Sequence, residues 1–168
     1  MELSKKDRIF LINQYKILSQ LEKENSSHYL ELIEILEYGY QGFYHKIGDW
    51  ISDEMPEEDS RFVISILDLY RSIENIKRST KDEKLLSHPM ATFPGFDGNN
   101  ESEYLGFCRF LIDTQGKFQE QEQYLSKNDG MNSHTPMYEK YQRMIAAAEK
   151  INSFHKLTLN DIFSILDA

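Results

Sequence analysis

Asp97, Asn99 and Glu101 stand at alternate positions after Gly95 and Phe96, the spacing at which a calcium loop converges oxygen ligands on one hard cation. The pattern stops there. Its sixth position is Ser102, where a tight turn needs glycine, and its twelfth is Cys108, where a bidentate glutamate is needed. Asp97 therefore reads as a residue that holds its own turn by side-chain to backbone hydrogen bonds. The histidines are His28, His45, His88, His134 and His155, and none forms an HExxH or comparable ligand pair. His134 differs from the others because it precedes Thr135 and Pro136, which read as N-cap and first residue of a helix. A helix start offers unpaired N–H groups and a positive dipole end to an anion, and Lys140 and Arg143 follow one to two turns on. Arg109 sits among Phe107, Phe110 and Leu111, where a guanidinium needs a carboxylate or carbonyls, with Asp97, Glu103 and Glu139 as candidates. Asp97, Arg109, His134 and Arg143 thus form one candidate ligand site, suited to a small anionic metabolite clamped by two arginines. Glu139 and Arg143, four apart, are equally read as a surface ion pair. Cys108 lies on an apolar helix face, a setting for packing more than for a nucleophile. No phosphate loop, GxSxG turn or dinucleotide fingerprint is present, so the sequence assigns no catalytic residue, metal or cofactor.

A second group of residues suits contact instead of chemistry. Residues 26–60 hold nine acids against one base, Lys46, a net of −8 in a chain whose 19 basic and 28 acidic residues leave −9. Interleaved with those acids are Tyr38, Tyr40, Phe43, Tyr44 and Trp50, and aromatics in mixed polar surroundings are favoured at interfaces. They are read either as core or as a partner or self-association surface. The charge argues against direct nucleic-acid binding. The chain has no apolar run of spanning length and no leader pattern at Met1, so it is expected to be cytoplasmic, without a membrane partner. Its single cysteine excludes an intrachain disulfide.

The elements that position these residues read as helical throughout. Ser4 with Asp7 caps a first helix from Lys5 to Leu21. After the polar break at Asn25 to Ser27, Tyr29, Ile33, Leu36 and Tyr40 repeat at helical spacing in a second. Pro56 followed by Glu57, Glu58 and Asp59 opens a third, running to Arg78 with Phe62, Ile66, Leu69, Ile73 and Ile76 on one stripe. Residues 79–99 lose periodicity apart from a short turn opened by Thr80, and Phe93 and Phe96 are expected to anchor this long loop across the helices. Asn100 with Glu103 reads as the cap of a fourth helix ending near Gly116. Residues 119–133 read as a mobile surface loop with one helical turn. A fifth helix follows Pro136, and Thr158 with Asp161 caps a sixth.

Two blocks carry a family resemblance. Gly95, Phe96, Asp97, Gly98, Asn99, then Glu103, Tyr104, Leu105, Gly106, Arg109 and Phe110 form the first. Asn132, Thr135, Pro136, Met137 and Glu139 to Met144 form the second, with weaker agreement at Asn13 to Lys16 and at Gly39 and Tyr40. Together they resemble the YfbU family of bacterial proteins over essentially the whole chain, departing at Tyr138, where the family often has Trp. The resemblance implies an all-helical bundle and carries over no catalytic residue. The expectation is an all-α, multihelical bundle of about six helices with a long ordered loop between the third and fourth, in one domain over 1–168. It is read as a non-enzymatic interaction or regulatory module, a homodimer using Tyr38, Tyr40, Phe43, Tyr44 and Trp50. The alternative is a binder of small anions, or an enzyme, with its site near the Phe93 to Asn99 loop.

Overall fold

The computed structural model describes residues 2–151 and 157–168. His155 lies outside them. Where one domain over 1–168 is expected, the residues pack as two compact units, Met1–Glu54 and Met55–Ala168. Among the described residues the structure has eight α-helices and no named strand. The count exceeds the six read from periodicity because two helices, of four and five residues, are too short to show any.

In the first unit, α1 (Lys5–Leu21) starts at the expected capping box: the Asp7 N–H donates to the Ser4 hydroxyl at 3.2 Å and the Ser4 N–H to the Asp7 carboxylate at 2.9 Å. It packs on α2 (Ser26–Tyr38), which stops at Gly39 in the left-handed region, φ +71°. The Arg8 guanidinium donates to the Leu36 carbonyl in the last turn of α2 at 3.0 Å, so α1 satisfies an oxygen that α2 leaves open. A short α3 (His45–Gly48) closes the core, in which Leu32, Ile35, Leu36, Tyr44 and Ile47 meet Leu11, Ile12 and Tyr15 of α1.

The second unit is organised by α4 (Glu57–Thr80), whose Val63, Ile66, Leu67, Leu69, Tyr70 and Ile73 are fully buried. Asp82, not Thr80, caps the following α5 (Glu83–Ser87), accepting the Leu85 N–H at 2.9 Å. Phe93 and Phe96 anchor the next loop as expected, their rings 5.0 and 5.2 Å from Tyr70 and Tyr141. The fourth predicted helix is α6 (Ser102–Arg109), continued by a wider turn over Phe110–Thr114 in which the Gln115 N–H reaches the Phe110 carbonyl. Its N-cap is Glu101, whose side chain makes no capping bond to the helix, so the expected Asn100 cap does not form. Residues 119–133 are not a surface loop throughout, since Gln121 and Met131 are buried. The segment is held at Phe96, whose N–H donates to the Met131 carbonyl and whose carbonyl accepts the Ser133 N–H. Helices α7 (Tyr138–Lys150) and α8 (Leu159–Leu166) complete the unit, the latter opening at the expected Thr158 and Asp161 capping box.

At the turn before Phe96 the backbone leaves no room for a side chain. Gly95 has φ +93°, and a Cβ there would lie 1.7 Å from the Met131 carbonyl oxygen. Gly95→Ala is expected to lower unfolding free energy in urea by at least about 2 kcal/mol. Gly42→Ala, where a Cβ meets nothing within 4 Å, should stay within about 0.5 kcal/mol of the parent.

Candidate functional site

The helix start that the sequence offers as an anion site already holds one. Both oxygens of the buried Glu101 carboxylate are occupied by backbone N–H groups. Oε1 accepts Met137 and Tyr138, each at 2.7 Å, and Oε2 accepts Asp97 at 3.0 Å. Met137 is the N-cap of α7, so Thr135 and Pro136 lie before the helix and do not open it. A helix N-terminus attracts negative charge, and here the charge belongs to the chain itself. Asp97 does hold its own turn, accepting the Asn99 N–H at 3.0 Å and the Asn100 amide. Those bonds, the Asn100 amide first and then the Asn99 N–H, keep its carboxyl below the usual range, and the neighbouring His134 adds a smaller pull in the same direction. Asn132 reaches across to accept the Gly98 N–H at 3.0 Å and the His134 N–H at 3.2 Å.

The other predicted ligand residues are each engaged with the chain itself. Arg109 is exposed, and its Nε and Nη2 both donate to the Gly130 carbonyl, at 3.0 and 2.8 Å, not to Asp97, Glu103 or Glu139. That bond clasps a run of left-handed residues, Asp129, Gly130 and Met131. His134 is exposed, also left-handed, and pairs with Asp129 at 3.0 Å. Arg143 is exposed and reaches the Glu139 backbone carbonyl at 3.3 Å and the Ala168 oxygen at 3.4 Å, so the Glu139 carboxylate pairing does not form. A cleft of about 520 Å³ opens beside this loop, with Phe93, Pro94, Lys127 and His134 in its walls. The Asn128 amide there is spent on the fold, its Nδ2 on the Phe93 carbonyl and its Oδ1 on the Met131 N–H. Cys108 is core, and burial pushes its thiol well above the ordinary range.

The candidate contact residues divide differently. Tyr44 is 6% exposed and belongs to the core of the first unit, which corrects its place among the surface aromatics. Tyr38, Tyr40, Phe43 and Trp50 are exposed, Trp50 at 80%. Tyr38 and Tyr40 stack at 5.5 Å, and the Lys46 ammonium lies 5.6 Å over the Phe43 ring. Sequence reasoning missed the outer face of α1, where Phe10, Ile17 and Leu21 fall on one exposed stripe while Leu11, Ile12 and Tyr15 face the core. The signal was present as an apolar set too broad for one buried face.

A sequence model of the YfbU domain matches residues 1–168. The UPF0304 protein MJECS11 of Methanocaldococcus jannaschii is 45% identical over 169 residues, covering 99% of this chain and 99% of its own. The chain belongs to the YfbU family. Because that relative is archaeal, the bacterial range expected from the resemblance is too narrow. The two blocks that carry the YfbU resemblance are also physically joined. The first supplies Gly95, Phe96 and Gly98, the second supplies Asn132, Met137 and Tyr141, and Glu101 lies between the recognised residues of the first. The Tyr141 hydroxyl closes the joint by donating to the Gly95 carbonyl at 2.7 Å.

In this YfbU domain Glu101→Ala leaves three backbone N–H groups without their carboxylate and is expected to cost about 3 to 5 kcal/mol in urea unfolding. Glu101→Gln, which keeps one carbonyl acceptor, should cost less. The lowered Asp97 carboxyl contributes stability that is present above its unfolded pKa of about 4 and lost as pH falls through the folded value. Asp97→Asn should therefore flatten the loss of thermal stability measured below about pH 4.

Proposed function

We propose that this YfbU protein is a non-enzymatic, cytoplasmic interaction module that self-associates through its first unit. One observation carries the reading. Of the twelve large apolar side chains exposed among the described residues, ten lie in Met1–Glu54, about a third of the chain, and only Leu86 and Phe110 lie in the second unit. Exposed apolar area concentrated in this way, and rimmed by charge, marks contact surfaces. The charge adds a weaker cue: Lys5, Lys6 and Lys23 lie on or beside α1, whereas α2 carries Glu34, its Glu31 and Glu37 being paired with Lys46 and Lys16 of the same chain. A two-fold dimer that sets α1 of one copy against α2 of the other satisfies both faces at once.

The second unit supports an enzyme or an anion binder less well. The helix start after Pro136 is filled by Glu101, and Arg109 and Arg143 are turned to backbone carbonyls. Among the described residues no helix is long and apolar enough to cross a membrane. The reading takes neither a membrane nor nucleic acid as the partner, and no cofactor.

Light scattering of the purified chain is expected to give the dimer mass. Phe10→Asp and Tyr40→Asp should each move it to the monomer, while Leu86→Asp, on the second unit, leaves it unchanged. A monomeric parent protein, or two variants that remain dimeric, would remove the proposal.

A further inference from the structure

The first unit also contains a cleft of about 430 Å³ whose walls include Tyr15 of α1, Tyr29 of α2, Lys46 of α3 and Trp50 just beyond it. The Tyr15 and Tyr29 rings stack at 6.0 Å and 22°, with the His28 ring 5.8 Å from Tyr29. Two side chains hold the rings in place. The Trp50 indole N–H donates to the Ile47 carbonyl at 3.2 Å, and the Tyr29 hydroxyl donates to the Glu22 carboxylate. Trp50 is nevertheless 80% exposed, so a large aromatic face is held open at the mouth of the cleft instead of being packed away.

Aromatic faces carry negative quadrupole density and attract cations, guanidinium above all because it is planar and weakly hydrated. The charge nearby has the matching sign. Asp49, Asp53 and Glu54 lie within four residues of Trp50, all exposed, and none of their carboxylates makes a hydrogen bond or ion pair in the structure. Lys46, a cation in the wall, is paired with the Glu31 carboxylate. We infer that this cleft is a docking site for an arginine side chain on a basic segment of a protein partner, the guanidinium seated against Trp50 and Tyr29 and the rest of the segment's charge drawn to the acidic 49–54 stretch that follows in the chain. The inference rests on reading the first unit as an interaction surface, but not on self-association.

Trp50 is the only tryptophan of the chain, so its emission reports on the cleft directly. The full-length protein is titrated with an acetylated, amidated peptide of alternating glycine and arginine, and with the same peptide carrying neutral citrulline in place of arginine. A saturable change in emission is expected with arginine alone, weakened about tenfold by Tyr29→Leu and suppressed by salt. The double variant Asp49→Asn, Asp53→Asn, confined to exposed side chains, should weaken binding several-fold and flatten the salt dependence, which keeps the test sound if Tyr29→Leu unfolds. An equal response to citrulline, no response, or full binding in both variants would overturn the assignment. An emission change that follows protein concentration without peptide would also overturn it, because a second copy would then fill the cleft. Light scattering on the same samples separates the two proposals: arginine binding to a monomeric Tyr40→Asp protein supports the cleft whatever becomes of the dimer.

Discussion

The Glu101 carboxylate accepts N–H groups from the Asp97 turn and from the start of α7, thirty-six and thirty-seven residues further on. A carboxylate removed from water is costly unless its lone pairs are filled, and here three charge-assisted bonds and the positive end of a helix fill them. The same contact fixes where α7 begins. Its first turn lacks a capping side chain of its own, so without Glu101 the Met137 and Tyr138 N–H groups would lose their acceptor. Phe96, Gly98 and Tyr141 add bonds on either side, and Gly95 lets the two strands of backbone approach closely enough for them to form.

A second buried clamp works on α4. Lys77 donates to Glu74 at 2.6 Å, to the Tyr124 hydroxyl at 2.9 Å and to the Ala91 carbonyl at 3.1 Å, while Tyr124 donates to Glu74 at 2.9 Å. The three ammonium protons each have an acceptor, which is the condition for tolerating such a pair away from water. Through it the 88–91 and 119–124 segments are tied to the central helix. In this unit polar groups serve mainly to hold irregular backbone, and Arg109 and Asn128 follow the same pattern. Residues that resemble a ligand-binding set by type are engaged with the chain's own backbone and, at His134, with the Asp129 carboxylate.

The first unit follows another balance. A unit of this length buries a smaller fraction of its surface than a longer one, and one face of α1 and α2 packs into its core. Its remaining apolar side chains are presented outward on Phe10, Ile17, Leu21, Tyr38, Tyr40 and Phe43. Acidic residues keep that surface hydrated, and the same combination suits it to contact with another protein.

Local signals in the sequence determined α1, α4 and α8 almost to the residue, since Ser4 with Asp7, the acids after Pro56, and Thr158 with Asp161 act within one helical turn. Phe93 and Phe96 were legible as anchors because two aromatics in a loop rich in proline and glycine have nowhere else to bury. The family, too, was legible in the two blocks around Asp97 and Met137. Tertiary structure alone decided what Glu101, Glu74 and Lys77 do, because Met137, Tyr138 and Tyr124, which complete their bonds, lie dozens of residues away, and charged side chains at helical spacing read by default as a solvated face. It also decided that Tyr44 is core while Trp50 is exposed. Sequence periodicity shows that a residue is apolar and where on a helix it stands, but burial depends on which distant element covers that face.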